Sequence, residues 1–303
     1  MKAAYLITGG TGLVGQRIIQ KLVARGERVH ILTRRPASSS ISGVTFYRWN
    51  PDEGTMDAEA LKDVHTVIHL AGAPVAQRWT PSSKRAILDS RTKTSALLHS
   101  HIAQLNEKDR PEVCIGASAI GIYPSGNEEL TETSPAATGF LSDVVQQWES
   151  GVETLESMGL RTVRLRIGLV LAEDGGMLGK LLPIFRLGLG SAVGSGKQWQ
   201  SWIHIEDLAD MFLWAAEEKT VSGIFNAVAP HPVTNYALSK SLAHACKRPF
   251  WAPAVPAWAL RLVFGEMASV VLASQKVRAE RVVAAGFAFS HPALDDALRD
   301  ILH

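Results

Sequence analysis

Apolar residues in the first half of the chain fall in short runs separated by amphipathic stretches. The first run covers 3–7, Ala-Ala-Tyr-Leu-Ile, and a helical spacing follows in which Ile18, Ile19, Leu22 and Val23 share one face, ending at Gly26. Further runs at 28–32, 44–48, 66–70, 113–117 and 162–167 read as strands, and 82–101 and 140–155 read as helices between them. Alternation of this kind predicts a parallel sheet with helices on both faces, a doubly wound α/β fold. Beyond residue 168 the pattern turns irregular. Gly175, Gly176 and Gly179 punctuate one expected loop, and Gly188, Gly190, Gly194 and Gly196 a second. Then comes a helix with Leu208, Met211, Phe212 and Ala215 on one face, which Asp207 is placed to cap, and a strand at 223–227. From about Tyr236 the tail is mostly helical, broken at Pro249, Pro253, Pro256 and Pro292.

The handover from first strand to first helix carries the strongest chemical signal. It reads Thr8-Gly9-Gly10-Thr11-Gly12-Leu13-Val14-Gly15. Glycines there allow a tight turn, let backbone approach a pyrophosphate, and let helix and strand pack closely. The helix N-terminus then offers N–H groups and partial positive charge to phosphates. This predicts a dinucleotide site. The second strand ends in Thr33-Arg34-Arg35-Pro36, where an NAD-binding protein usually places an acid for the ribose 2′-hydroxyl. A carboxylate would repel a 2′-phosphate, whereas a guanidinium pairs with it. The expected cofactor is therefore NADP(H); the plainer alternative is that the arginines are solvated loop charges. The strand over 66–70 runs into Ala71-Gly72-Ala73-Pro74, small residues that leave room for a ligand.

Composition narrows the function class. Of 303 residues, 46% are apolar and 20% charged, which suits a folded chain with a real core. A net charge of +2 argues for neither nucleic acid nor an acidic membrane surface as partner, and no apolar run is long enough to span a bilayer. Two cysteines, Cys114 and Cys246, stand in no metal-ligand spacing and suit a reducing compartment. No metal site is expected. With Met-Lys leading straight into a strand, the expectation is a cytoplasmic protein without a signal peptide, a monomer or homodimer acting on a small molecule.

Together these segments resemble the epimerase-like branch of the extended short-chain dehydrogenase/reductase superfamily, the NAD-dependent epimerase/dehydratase family. The glycine motif carries the likeness, with His69-Leu70-Ala71-Gly72, the Trp79 region through Ser90-Arg91, Phe185-Arg186-Leu187-Gly188-Leu189-Gly190, and Ser201-Trp202-Ile203-His204-Ile205-Glu206-Asp207. A C-terminal stretch with Gly265-Glu266 and Gln275-Lys276-Val277 resembles the small domain that closes such proteins. The resemblance implies a Rossmann domain over 1–167, to which 200–228 returns. It implies a smaller, mainly helical substrate-side region over 168–199 and 229–303, with 252–303 as a small C-terminal helical domain. It places NADP(H) at Gly9, Thr11, Gly12, Leu13 and Val14, its 2′-phosphate end at Thr33 and Arg34, and Leu70, Ala71, Gly72 and Arg91 along it.

Catalysis in that superfamily uses a tyrosine with a lysine four residues later, plus a serine or threonine from a strand end. The sequence departs from this at the expected helix. The helix that should carry the pair reads Phe140-Leu141-Ser142-Asp143-Val144-Val145. Ser118 is the remaining serine candidate, although alignment on Tyr123 puts Ala119 at the usual position. Tyr123 is the nearest phenol; a packed loop tyrosine is the alternative. Three readings stay open. The first is an NADP(H)-dependent oxidoreductase acting on a small carbonyl or alcohol. The second is an NADPH-binding sensor or scaffold without chemistry. The third is a nucleotide-sugar epimerase.

Overall fold

A computed structural model describes residues 4–35 and 41–302. The strands in chain order are β1 (Ala4–Thr8), β2 (Arg28–Thr33), β3 (Val44–Asn50), β4 (Thr55–Met56), β5 (Val64–His69), β6 (Val113–Ala119), β7 (Glu129–Leu130) and β8 (Arg161–Ile167). They continue with β9 (Leu169–Leu171), β10 (Trp199–Gln200), β11 (Trp202–His204), β12 (Gly223–Ala227), β13 (Val233–Thr234) and β14 (Lys276–Val277). The helices are α1 (Leu13–Ala24), α2 (Pro81–Ala103), α3 (Phe140–Glu153), α4 (Gly176–Arg186), α5 (Ile205–Glu217), α6 (Asn235–Ala245), α7 (Ala257–Phe264), α8 (Ala268–Leu272), α9 (Glu280–Ala284) and α10 (Leu294–Leu302). The main sheet runs β12-β8-β6-β5-β1-β2-β3-β4. Its strands are parallel apart from β4, which is antiparallel to β3. The strand order reverses at β1, which lies between β2 and β5, so the crevice above this pair is the switch point where such sheets take ligands.

Alternation along the strands divides the core. Ile7 and Ile68 pack with Ile18 and Leu22 of α1 and Leu208 and Phe212 of α5. Their neighbours Leu6 and Val67 face the other side, with Leu97, Leu98 and Ile102 of α2 and Val152 of α3. Each such buried side chain contributes about 1.5–3 kcal/mol. Lys21 ties α1 to α5 through Glu206 at 2.9 Å and Asp210 at 2.8 Å. On the opposite face, α2 and α3 cross where Gly151 meets Ser95; a Cβ on Gly151 would lie 2.6 Å from that of Ser95.

The doubly wound sheet is as the sequence pattern predicts. The differences lie at its margins. β6 runs two residues past the expected end, to Ala119. The stretch with Gly175, Gly176 and Gly179, expected as a loop, instead opens α4, whose Leu178, Leu182 and Phe185 are buried at helical spacing. They build a separate core with Trp202, Leu238, Leu242, Leu294 and Leu298, so α4, α6 and α10 pack together. The chain beyond residue 252 also returns to the main core, through a separate two-stranded sheet. β14 pairs with β7, and Val277, Val282 and Phe287 join the main core. Among the described residues no helix is long and apolar enough to cross a membrane.

Candidate cofactor cleft

At the end of β1 the chain turns through Gly9, whose φ is +70°. A Cβ there would lie 2.9 Å from the Leu70 carbonyl carbon and 3.0 Å from the Ala71 nitrogen, so the two loops touch backbone to backbone. Gly15 in α1 presses on the same turn, where a Cβ would stand 2.5 Å from the Gly9 oxygen. Gly12 is the N-cap of α1; no side chain caps the helix and no acid lies in its first turn. The N–H groups and positive pole of α1 therefore face the crevice uncompensated. Thr11, Gly12, Leu13 and Val14 follow in the turn and the start of α1.

The facing loop is fixed by a side chain that sequence reading passed over. The Thr8 hydroxyl accepts the N–H groups of Leu70 and Ala71, each at 3.1 Å. With both lone pairs used, its own proton goes to His69 Nδ1 at 2.7 Å. The His69 proton then sits on Nε2 and is donated to Ser95 at 3.1 Å. Burial, with a smaller push from the Arg91 charge, lowers the His69 pKa to about 4 and keeps the ring neutral. A threonine closing a strand just before the glycine turn was the available signal.

Arg91 lies beside this loop. Its guanidinium donates to the carbonyls of Ala73 at 3.2 Å and Ile87 at 2.9 Å, and stacks 4.6 Å above the Trp148 ring. A Cβ on Gly72 would come within 3.0 Å of its Cζ. The side chain is buried, and burial lowers its pKa to about 10. Among the described residues no carboxylate pairs with it, so a net positive charge stands next to residues 71–72. At the end of β2, Thr33 is half-buried while Arg34 and Arg35 are exposed. Pro36 lies outside the described residues.

The expectation that Ser118 or Tyr123 moves a proton is not met by the geometry. Both are 2% exposed. Extending β6 places Ser118 inside the strand, with its hydroxyl donating to Glu149 of α3 at 2.5 Å. Glu149 holds Arg166 through two bonds, at 2.8 and 2.9 Å. Arg166 in turn donates to the Tyr123 hydroxyl at 2.8 Å, and Tyr123 donates to Asn226 at 2.7 Å. Burial raises the Tyr123 pKa and outweighs the opposing Arg166. Both hydroxyls are committed to a covered network that joins α3, β6, β8 and β12. At the start of α3, where the superfamily carries its tyrosine, Phe140 meets Trp79 edge-on at 5.1 Å. Lys84 lies over both rings, 5.4 Å from Phe140 and 5.9 Å from Trp79, and pairs with Glu266.

The segment 199–207 acts as a fastener. His204, rather than Asp207, caps α5, its Nδ1 accepting the Glu206 N–H at 3.1 Å. Asp207 sits inside the first turn, and its carboxylate accepts the N–H groups of Ser290 at 2.7 Å and His291 at 3.0 Å. His204 stacks on His291 at 3.9 Å, and its Nε2 lies 3.3 Å from Asp300. Because Nδ1 is already an acceptor, the neutral His204 ring carries its proton on Nε2. It offers Asp300 a donor, not the lone pair a metal needs.

A doubly wound sheet with a glycine turn at its switch point defines a protein of the nucleotide-binding α/β class. Within it, the chain belongs to the NAD dependent epimerase/dehydratase family, whose model matches residues 5–228. A second model, described only as a domain of unknown function (DUF1731), matches 255–301. The epimerase family protein SSP1921 of Staphylococcus saprophyticus is 37% identical over 305 residues, covering 99% of each chain. The crystal structure of the human epimerase family protein SDR39U1 with NADPH superposes with a TM-score of 0.86 at 32% identity, over 99% of both chains. The Thermus thermophilus UDP-glucose 4-epimerase complex with NAD shares the fold, with a TM-score of 0.73 at 19% identity, over 99% of this chain and 98% of that one.

Proposed function

We propose that the chain binds NADP(H) in the crevice between β1, β2 and β5 and acts as an oxidoreductase on a small carbonyl or alcohol. The observation that carries the reading is positive charge around a glycine cradle: Arg91 beside Gly72, the uncapped α1, and Arg34 at the end of β2. The close contacts at Gly9 and Gly15 fit the group as well, because a side chain at either would push apart the turn and the facing loop that shape the crevice. The human relative solved with NADPH supports the same choice. Bound NADPH supplies hydride. In this reading Gly9, Thr11, Gly12, Leu13 and Val14 receive the pyrophosphate, Thr33 and Arg34 the 2′-phosphate, and Leu70, Ala71 and Gly72 lie along the cofactor. Arg91 adds charge beside them, and Thr8 and His69 hold the 70–72 backbone. The proton comes from solvent or from the substrate's own acid group, since Phe140 has no hydroxyl and Ser118 and Tyr123 are covered. The same three facts favour a second reading, a sensor that binds NADPH and does no chemistry. A nucleotide-sugar epimerase is least supported, because its keto intermediate needs a proton-transfer pair that the start of α3 lacks; the tyrosine and lysine that do have that spacing, Tyr236 and Lys240, are exposed on α6.

Arg34→Asp tests the cofactor. One charge-assisted contact is worth about 1.5–3 kcal/mol, so NADPH affinity should fall roughly ten- to hundredfold while NADH affinity rises. Unchanged affinities would defeat the assignment. NADPH deuterated at the reactive carbon, incubated with protein and a metabolite extract, separates the first two readings. Label in a product supports the oxidoreductase; tight binding without transfer supports the sensor.

A further inference from the structure

Eleven of the thirteen large apolar side chains exposed among the described residues lie between Ile184 and Val270, and contacts between the segments that bear them gather them toward one face. Its centre is α7, with sequence Ala-Trp-Ala-Leu-Arg-Leu-Val-Phe. A helix apolar on all sides is normally buried. Here only Leu260 is buried, while Trp258 is 68% exposed, Leu262 75% and Val263 65%; Trp251 nearby is 67% exposed. Hydrogen bonds join Val255 to Ala192 and Gly194, which holds the loop bearing Leu187 and Leu189 against the base of α7. Phe250 meets Tyr236 of α6 edge-on at 5.3 Å, which brings the exposed face of α6 alongside.

Charge on this face is one-sided. From Lys219 to Gly265 the sequence has no Asp or Glu, although the whole chain has 29. Lys240, Lys247, Arg248 and Arg261 are all exposed around the apolar centre. The small net charge of the chain conceals this segregation. A second copy is a poor cover, since a two-fold contact would set these cations against one another, and Glu266, the acid next to α7, is already paired with Lys84. Exposed tryptophans among leucine, valine and phenylalanine, ringed by lysine and arginine, match the chemistry of a lipid headgroup layer. We propose that this face docks on an anionic lipid bilayer, with α7 lying in the interfacial layer and the four cations against the headgroups. The attachment is peripheral and is independent of the cofactor assignment.

The test is flotation of the full-length protein with phosphatidylcholine vesicles, with or without about one-third phosphatidylglycerol, at low and high salt. Binding to the anionic vesicles should exceed binding to neutral ones at least tenfold and should weaken as salt is raised. Trp258→Glu with Leu262→Glu should abolish it, and Lys247→Glu with Arg248→Glu should weaken it severalfold. Both pairs sit on the exposed surface, so their circular dichroism should match that of the wild type; the thermal midpoint should hold for the α7 pair and fall slightly for the other, where Arg248 gives up its bond to the Arg186 carbonyl. No binding to anionic vesicles at low salt overturns the proposal. So does binding that ignores lipid charge or survives the α7 substitutions. A stable dimer that those substitutions split, with no vesicle binding, would identify a second copy as the cover and also overturn it.

Discussion

Thr8 shows how much of the cleft rests on one hydroxyl. Thr8→Val keeps the shape but leaves the Ala71 N–H and the His69 Nδ1 without partners, while the Leu70 N–H keeps only the Thr8 carbonyl at 3.2 Å. The expected cost is about 1–3 kcal/mol in urea unfolding, with weaker NADPH binding, and Thr8→Ser should recover most of both. Glu149 is a sharper case. Glu149→Gln leaves Arg166 buried beside a neutral group, so a loss of about 3–5 kcal/mol is expected, whereas Tyr123→Phe should cost about 1–2 kcal/mol. If Tyr123→Phe instead abolished turnover while stability held, the structural role given to that phenol would be wrong. Acid sensitivity follows from two histidines. His69 and His204 are lowered from 6.5 to about 4, mainly by burial. Above the unfolded value their contribution is fully present. As pH falls from 6.5 toward 4 the unfolded chain takes up protons that the folded one refuses, so stability drops by up to about 3 kcal/mol for each ring. Urea midpoints measured across that window should show the slope, and His69→Gln should flatten it. These pairings were not legible in the sequence because their partners are distant; Tyr123 and Asn226 are 103 positions apart. The glycine turn was legible because its signal is local.

At the level of elements, period and punctuation located nearly every strand and helix of the main sheet. They failed at α4, where glycines masked a helical Leu178, Leu182, Phe185 spacing, and at β6, where two extra residues turned Ser118 toward α3. Contact between elements sets the next prediction. Gly151→Ala would force Ser95 and α2 away from α3, and Ser95 is also the acceptor for His69. Differential scanning calorimetry should show a loss of about 1–3 kcal/mol, and NADPH affinity should fall with it although the change is remote from the glycine turn.

For the whole molecule, the separate core of α4, α6 and α10 and the stitching of the last fifty or so residues make one cooperative body of what the sequence presents as a domain and a tail. Asp207→Asn should loosen this attachment, lower the unfolding midpoint, and make the tail the first point of proteolysis. Failure of the tail to become protease-sensitive would show that β14 and α10 hold it unaided. The position of these contacts also governs how the protein is made. Val277, Val282 and Phe287 complete the main core, and the N–H groups that answer Asp207 belong to residues 290 and 291. A nascent chain from which these residues have not yet emerged therefore holds a sheet with an open seam, and a message truncated upstream of them yields a product that quality control can recognise at once.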